Sequence, residues 1–287
     1  MNASRPQVSG HFVEGAAGPL AVVLWQPPVG TPVRCSMLYV PPAADEMNKS
    51  RRMVALQARA LSFYGIEVAI LDLRGTGDSA GEHGDATWEG WSADVVCVWL
   101  WLGMRGAVPR LLWGLRLGAL LAADLVAQKT VDPFALVLWQ PVLSGRSFFN
   151  QFLRYAMARQ IVEGGDAQAE KKALRSRLMA GTPIEVAGYC LHPALVRPAE
   201  TRHLHNLLNP ACTIIWHEIT SATPATLNPA SANIIARLSN QGARVESEVV
   251  EGPPFWASQE ITEAPNLVQA TVNTIERVLR HGSAGKK

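Results

Sequence analysis

The sequence predicts an α/β protein, with a mostly parallel sheet covered by helices on both faces. Short β-branched and apolar runs alternate with helix-length segments from Leu20 to Trp139, and again from Cys212 to Arg280. A glycine-rich turn, RGTGDSAG at 74–81, closes one of those runs. Another run ends in WGLRLGALL, where Gly114 and Gly118 mark a strand turning directly into a helix.

Taken in order, Leu20–Trp25 (LAVVLW) and Cys35–Val40 (CSMLYV) have strand composition, and each stops at a proline pair. Between Asn48 and Tyr64 the residues Met53, Leu56, Ala60 and Leu61 recur at helical spacing. Ile66–Leu73 is a strand, Trp88–Gly103 a helix, Arg110–Trp113 a strand, Leu117–Lys129 a helix and Ala135–Trp139 a strand. Over Arg146–Leu208 the alternation stops. Helical pieces such as Phe148–Val162, with Phe149, Phe152 and Tyr155 or Met157 near one face, are separated by polar breaks. No strand there is strong enough to continue the sheet. The strand Cys212–Trp216, the helix Ser231–Gln241, the strand Arg244–Val250 and the helix Asn266–Arg280 follow. The expected organisation is a core of 1–145 and 209–281, a helical cap of 146–208 inserted after the sixth strand, and a disordered tail, 282–287.

Composition narrows the functional classes. The 287 residues carry a net charge of +2, which gives no basis for binding nucleic acid. The four cysteines are scattered without a C-x-x-C pair, as expected of buried thiols in a reducing compartment. MNASRPQVSG lacks the apolar stretch of a secretory signal. The densest apolar run, Val95–Met104, falls short of the ~20 residues that span a bilayer. A cytoplasmic protein without a transmembrane segment is expected. His203 and His205 lack a third ligand at zinc spacing, and nothing points to a nucleotide, metal or flavin cofactor.

Two motifs carry a family resemblance. Asp72–Gly81 (DLRGTGDSAG) and the strand–Gly114–x–x–x–Gly118–helix unit resemble, in that order, the turns of the α/β-hydrolase superfamily. VPPAADEMNKSRRM at 40–53, GLRLG at 114–118 and AGYCL at 187–191 resemble the exosortase-A-system-associated hydrolase 2 group. That bacterial group occurs in gene clusters for exopolysaccharide production and PEP-CTERM protein sorting. The resemblance implies an α/β-hydrolase fold and an ester, thioester or amide hydrolase, with proteins of such a system as partners.

The superfamily's triad runs Ser, then Asp or Glu, then His. The resemblance places Arg116 where the serine stands, and a guanidinium has no lone pair for attack. Glu218, beyond CTIIW, occupies the acid position. After the last strand the sequence reads EGPPFWA, with Phe255 or Trp256 where an imidazole is required. Two of the three roles are thus vacant. His217 is the candidate for a relocated base. Ser79 belongs to a turn that is structural in this superfamily.

An arginine at such a turn has its own chemistry. It sits at a helix N-terminus, which attracts anions, and its planar fork suits carboxylate or phosphate. Arg116 and the Leu117 amide would bind an anionic group, and the resemblance makes Ala43 or Ala44 the second amide donor. If the cation is instead neutralised internally, Glu218 is the expected partner, with Asp45 and Glu46 as further candidates. Trp25, Trp113, Trp139 and Trp216 stand at strand ends, and Trp256 follows the last strand. Open α/β sheets bind ligands at the strands' carboxyl ends, so these predict an aromatic pocket for a sugar ring or acyl chain. Phe148, Phe149, Phe152 and Tyr155 would close it. Three functions remain in view: a site converted to bind an anionic acyl, lipid or glycan ligand; an ester or thioester hydrolase in which Glu218 or His217 activates water; and a non-catalytic partner-binding protein.

Overall fold

The computed structural model describes residues 5–162 and 166–284. The chain opens with β1 (Gln7–Gly15) and β2 (Gly18–Gln26), an antiparallel hairpin. It continues through β3 (Cys35–Val40), α1 (Asp45–Ser62), β4 (Ile66–Leu71), α2 (Trp88–Met104), β5 (Arg110–Leu115), α3 (Leu117–Ala127) and β6 (Ala135–Trp139). Each of β2 to β6 and α1 to α3 forms where the periodicity predicts it. The exception is β1, which the sequence did not signal. It is an edge strand whose one buried residue is Val13, so it lacks an apolar run.

After β6 the chain leaves the sheet. α4 (Gly145–Val162), α5 (Ala167–Ala180), the short strands β7 (Ile184–Val186) and β8 (Tyr189–Leu191), α6 (Pro193–Glu200) and α7 (Leu204–Leu207) follow. β7 and β8 pair only with each other, through a two-residue turn in which Ala187 and Gly188 both have positive φ (52° and 81°). Phe149, Leu178, Ile184, Leu195 and Leu204 join this segment to the core. The side chains of Tyr155 and Met157 lie outside the described residues. The chain then returns with β9 (Thr213–Thr220), α8 (Pro229–Asn240), β10 (Val245–Glu251) and α9 (Pro265–Ala284). Residues 282–284, expected in the tail, continue α9, and 285–287 lie outside the described residues.

The eight-stranded sheet has the order β1-β2-β4-β3-β5-β6-β9-β10, parallel from β4 to β10. Two apolar cores sandwich it. α1 and α9 cover one face, over Met37, Trp113 and Val137. α2, α3 and α8 cover the other, over Leu38, Leu112 and Leu138. The apolar run Val95–Met104 is one turn after another of α2, burying Val95, Val98, Trp99 and Leu102. Among the described residues no helix is long and apolar enough to cross a membrane.

One boundary matters for the site. β9 was expected to end at Trp216, yet it runs to Thr220, because β10 pairs Val249 with Glu218 and Glu251 with Thr220. His217 and Glu218 therefore lie on a strand, where neighbouring side chains point to opposite faces.

Candidate functional site

The turn between β5 and α3 has the geometry that its glycines imply. A Cβ on Gly114 would stand 2.4 Å from the Ala119 Cα, and one on Gly118 only 2.3 Å from the Val40 carbonyl oxygen. α3 can approach β5 and the exit of β3 so closely only with hydrogen at both positions. Between them Arg116 is held at φ 55°, ψ −118°. Its N–H donates to the Trp139 carbonyl (3.1 Å), and its carbonyl accepts from Ala119 and Val142 N–H (3.1 and 3.3 Å). Leu117 follows as the first residue of α3, so its N–H has no acceptor within the helix.

A second strained residue faces this turn from the exit of β3. Ala44, the N-cap of α1, has φ 55°, ψ −135°, and Ala43 and Ala44 are both buried. This sharp entry sets Asp45, Glu46 and Lys49 on the first turns of α1. The hairpin residue Ala187, Lys129 after α3 and Gln140 after β6 are also at positive φ. Non-glycine residues at positive φ cost ~1–3 kcal/mol each and concentrate at functional sites.

Arg116 and Glu46 meet between these turns. Arg116 Nε donates to Glu46 Oε1 at 3.2 Å, and the guanidinium carbon stands 5.6 Å from the Trp256 ring centroid. Neither terminal nitrogen of Arg116 has a hydrogen-bond acceptor among the described residues. Glu46 Oε2 is buried and likewise unpartnered. Burial raises the Glu46 pKa, and the Arg116 charge and hydrogen bond oppose the rise. The expected pairing of Arg116 with Glu218 gives way to Glu46, one of the two further candidates.

Above the pair is a cavity of about 370 Å³. Arg116 and Glu46 line it, with Phe148, Phe152, Trp256 and Ala257 as apolar wall. Asp45, Lys49, Gln151, Ala187 and Tyr189 complete the lining. Lys49 pairs with Asp45 at 2.7 Å, and Asn48 Nδ2 donates to the Tyr189 hydroxyl at 3.4 Å. Phe148 stacks on Phe152 at 6.3 Å and meets Phe149 edge-on at 5.2 Å.

Other sequence-predicted residues lie elsewhere. Glu218 accepts from Trp216 Nε1 (3.0 Å) and from the Asn228 N–H (3.1 Å), fastening β9 to the start of α8. His217 points to the opposite face, buried, with Nε2 3.5 Å from Thr274 Oγ1 on α9 and Nδ1 unpartnered. Burial depresses its pKa to about 4. Neither lines the cavity. Trp113 is packed between Tyr39 and Trp139, with centroids 4.5 and 4.6 Å away, and Trp139 Nε1 donates to Thr271 Oγ1 at 2.9 Å. Trp216 is buried in the core on the other face. Of Trp113, Trp139, Trp216 and Trp256, the cavity therefore takes only Trp256, because strand side chains at the rim alternate into the two cores.

The remaining motifs lie apart from the cavity. Ser79 accepts from the Ala21 N–H (2.8 Å) and donates to the Asp72 carbonyl, tying the glycine turn to β2. His203 and His205 have ring centroids 5.7 Å apart, and among the described residues no group of three His, Cys, Asp or Glu could hold a metal. Sequence reasoning missed Lys49, Gln151, Ala187, Tyr189 and Ala257. Lys49, Ala187 and Tyr189 lie inside the stretches 40–53 and 187–191 that carried the narrower resemblance, so a signal was present.

Comparisons with known proteins agree on the fold. The human protein ABHD12B is 34% identical over 116 residues, 39% of this chain, and the matched part spans 30% of that relative. A thermostable carboxyl esterase from Bacillus coagulans superposes with TM-score 0.63 at 14% identity, covering 95% of this chain and 99% of that one. Est1E from Butyrivibrio proteoclasticus, in a structure with bound ferulic acid, gives 0.62 at 13%, covering 94% and 99%. XC6422 from Xanthomonas campestris, an α/β serine hydrolase without a lid, gives 0.55 at 17%, covering 94% of each chain. Residues 47–227, which include the turn at Arg116, match the family described as serine aminopeptidase, S33. The chain belongs to that family of α/β-hydrolases.

Proposed function

We propose that this protein is a hydrolase-fold protein whose site has been converted to bind an anionic acyl, lipid or glycan ligand. The observation that carries this reading is Arg116. It takes the nucleophile's place at the base of an aromatic-walled cavity, with both terminal nitrogens unengaged. A guanidinium there offers paired N–H donors to an anion, and the N-terminus of α3 adds to the attraction. Phe148, Phe152 and Trp256 supply apolar surface for a chain or ring. The triad is degenerate on this reading, since Phe255 and Trp256 follow β10 and His217 is turned under α9. Est1E, seen with an aryl carboxylic acid, is in keeping with a ligand of this kind.

The resemblance of 40–53, 114–118 and 187–191 supports a place in an exopolysaccharide or protein-sorting system, with its proteins as partners. Segment 146–208 acts as the cap, contributing Phe148, Gln151, Phe152, Ala187 and Tyr189. The scattered cysteines, without a C-x-x-C pair, support a reducing, cytoplasmic setting. The test is thermal shift against fatty acids, aryl carboxylates and acidic sugars. Stabilisation of the wild type that disappears in Arg116→Ala supports the reading, and no stabilisation by any anion overturns it.

Direct hydrolysis is the second reading, and one observation favours it. Glu46 lines the same cavity and has an unpartnered, buried oxygen and a raised pKa, the attributes of a base that would activate water. Glu46 thus takes the role for which Glu218 and His217 were the sequence candidates. Turnover of an aryl ester by the wild type, abolished in Glu46→Gln, would establish it.

A further inference from the structure

The polar base of the cavity is asymmetric, and the asymmetry names a ligand head group. Arg116 presents unengaged N–H donors, and beside them Glu46 Oε2 is an unengaged acceptor that is buried. A buried acceptor without a donor is costly, so a ligand that fills this place gains most by bringing a proton to it. A plain carboxylate satisfies the arginine and sets its charge against Glu46. A carboxyl group carrying its proton satisfies both, donating O–H to Glu46 Oε2 and accepting from Arg116.

We propose that the cavity binds monocarboxylic acids with an acyl or aryl tail, the ligand carboxyl and Glu46 sharing one proton across Arg116. This rests on the anion-binding reading and deepens it. One carboxyl group, one carboxylate and one guanidinium then form an assembly of net charge zero, which the partly buried position favours. The proton is taken up from solvent on binding and released on dissociation. No bond is broken.

The surrounding charges allow it. On its own helix Glu46 has Asp45, which disfavours its ionised form, and Lys49, which favours it; Lys49 is already paired with Asp45. From the β5–α3 turn Arg116 acts on it, and on β3 the buried Tyr39 hydroxyl is held neutral partly by the Glu46 charge itself. Across the cavity stands Tyr189 on β8, and the nearby Arg51 is paired with Asp72. Among the described residues Arg116 is the one cation hydrogen-bonded to Glu46, and Lys49, the other cation lining the cavity, is already paired with Asp45. Trp256 covers one side of the guanidinium, and Phe148 and Phe152 offer the tail an apolar path outwards.

The test is titration calorimetry of the whole protein with sodium octanoate at pH 6 and pH 8, each in two buffers of different ionisation enthalpy. The expected result is uptake approaching one proton per octanoate, with affinity falling about tenfold per pH unit, as one linked proton requires. In Glu46→Gln, whose amide donates without titrating, binding persists at both pH values with no proton uptake. Thermal unfolding of that variant verifies its fold. Binding of octanoate to wild type with equal affinity at pH 6 and 8 and no proton uptake overturns the proposal but leaves anion binding standing. No binding at either pH, with Arg116→Ala indistinguishable from wild type, overturns both.

Discussion

Arg116 on the β5–α3 turn and Glu46 on α1 are joined by one hydrogen bond of 3.2 Å, from Nε to Oε1, and each keeps polar atoms in reserve beside a cavity. A fully committed bidentate pair would close the site. This arrangement neutralises the cation while leaving it able to receive a ligand. The side chains are 15% and 21% exposed, so the coupling is that of a partly buried pair. A double-mutant cycle of Arg116→Met and Glu46→Gln is expected to give a coupling free energy of ~1–3 kcal/mol in thermal or urea unfolding. Arg116→Met alone is expected to destabilise by stranding the Glu46 carboxylate.

A hydroxyl at residue 116 alone is expected to give no acyl-enzyme chemistry. Arg116→Ser would place a hydroxyl at the turn, but the acyl-enzyme route needs an imidazole within hydrogen-bond reach of it. His217 lies under α9 against Thr274, and Phe255 and Trp256 follow β10. Stopped-flow assays with a p-nitrophenyl ester are expected to show no burst and no rise in turnover over wild type. A burst would mean that a base reaches the turn.

His217 makes stability depend on acidity, with a sign fixed by its burial. Its folded pKa of about 4 lies below the ordinary histidine value near 6.5, so the unfolded chain binds the proton more tightly. The stabilisation is full above about pH 6.5 and is lost as pH falls toward 4, by up to ~3 kcal/mol. His217→Leu removes the titrating group and its unpartnered Nδ1. Urea unfolding between pH 4 and pH 7 is expected to show a flattened acid limb in the variant, while ligand binding at pH 7 is unchanged.

The glycines of the turn are expected to be intolerant of a methyl group. In Gly118→Ala the new Cβ meets the backbone oxygens of Val40 and Pro41 at 2.3 and 2.4 Å, and backbone cannot rotate away. A loss of ~3 kcal/mol or more, read as a fall in Tm, is expected. Gly30→Ala, at positive φ but with nothing within 4 Å, isolates the cost of φ alone and is expected to be milder.

The sheet and its flanking helices were legible because each buried strand is a continuous apolar run, α1 and α9 repeat on one face, and α2 and α3 are apolar runs too long for strands. β1 escaped because an edge strand buries almost nothing, and β7, β8 and α7, at three, three and four residues, are too short to show a period, whereas α8 was clear. At the site, the turn around Arg116 was readable from its two glycines together with the resemblance to the α/β-hydrolase turn. The partner was misjudged through one boundary: with β9 ended at Trp216, Glu218 seemed to reach over the sheet, whereas pairing with β10 carries the strand past it. The tryptophans misled for a similar reason. Position at a strand end says which rim a side chain occupies, and alternation, which decides the face, sent Trp113 and Trp139 under α1 and α9.

Everything proposed for the site depends on the guanidinium at the turn engaging a ligand. The measurement to make is calorimetric titration of octanoate into wild type and Arg116→Met side by side at pH 6, with the fold of each verified by its unfolding transition. Binding of one equivalent by wild type, weakened roughly 10- to 100-fold in the variant as loss of a charge-assisted pair of hydrogen bonds implies, is the expected result. Equal affinity in the two proteins would mean that Arg116 is a structural cation held by Glu46, and that whatever enters the cavity is recognised without it.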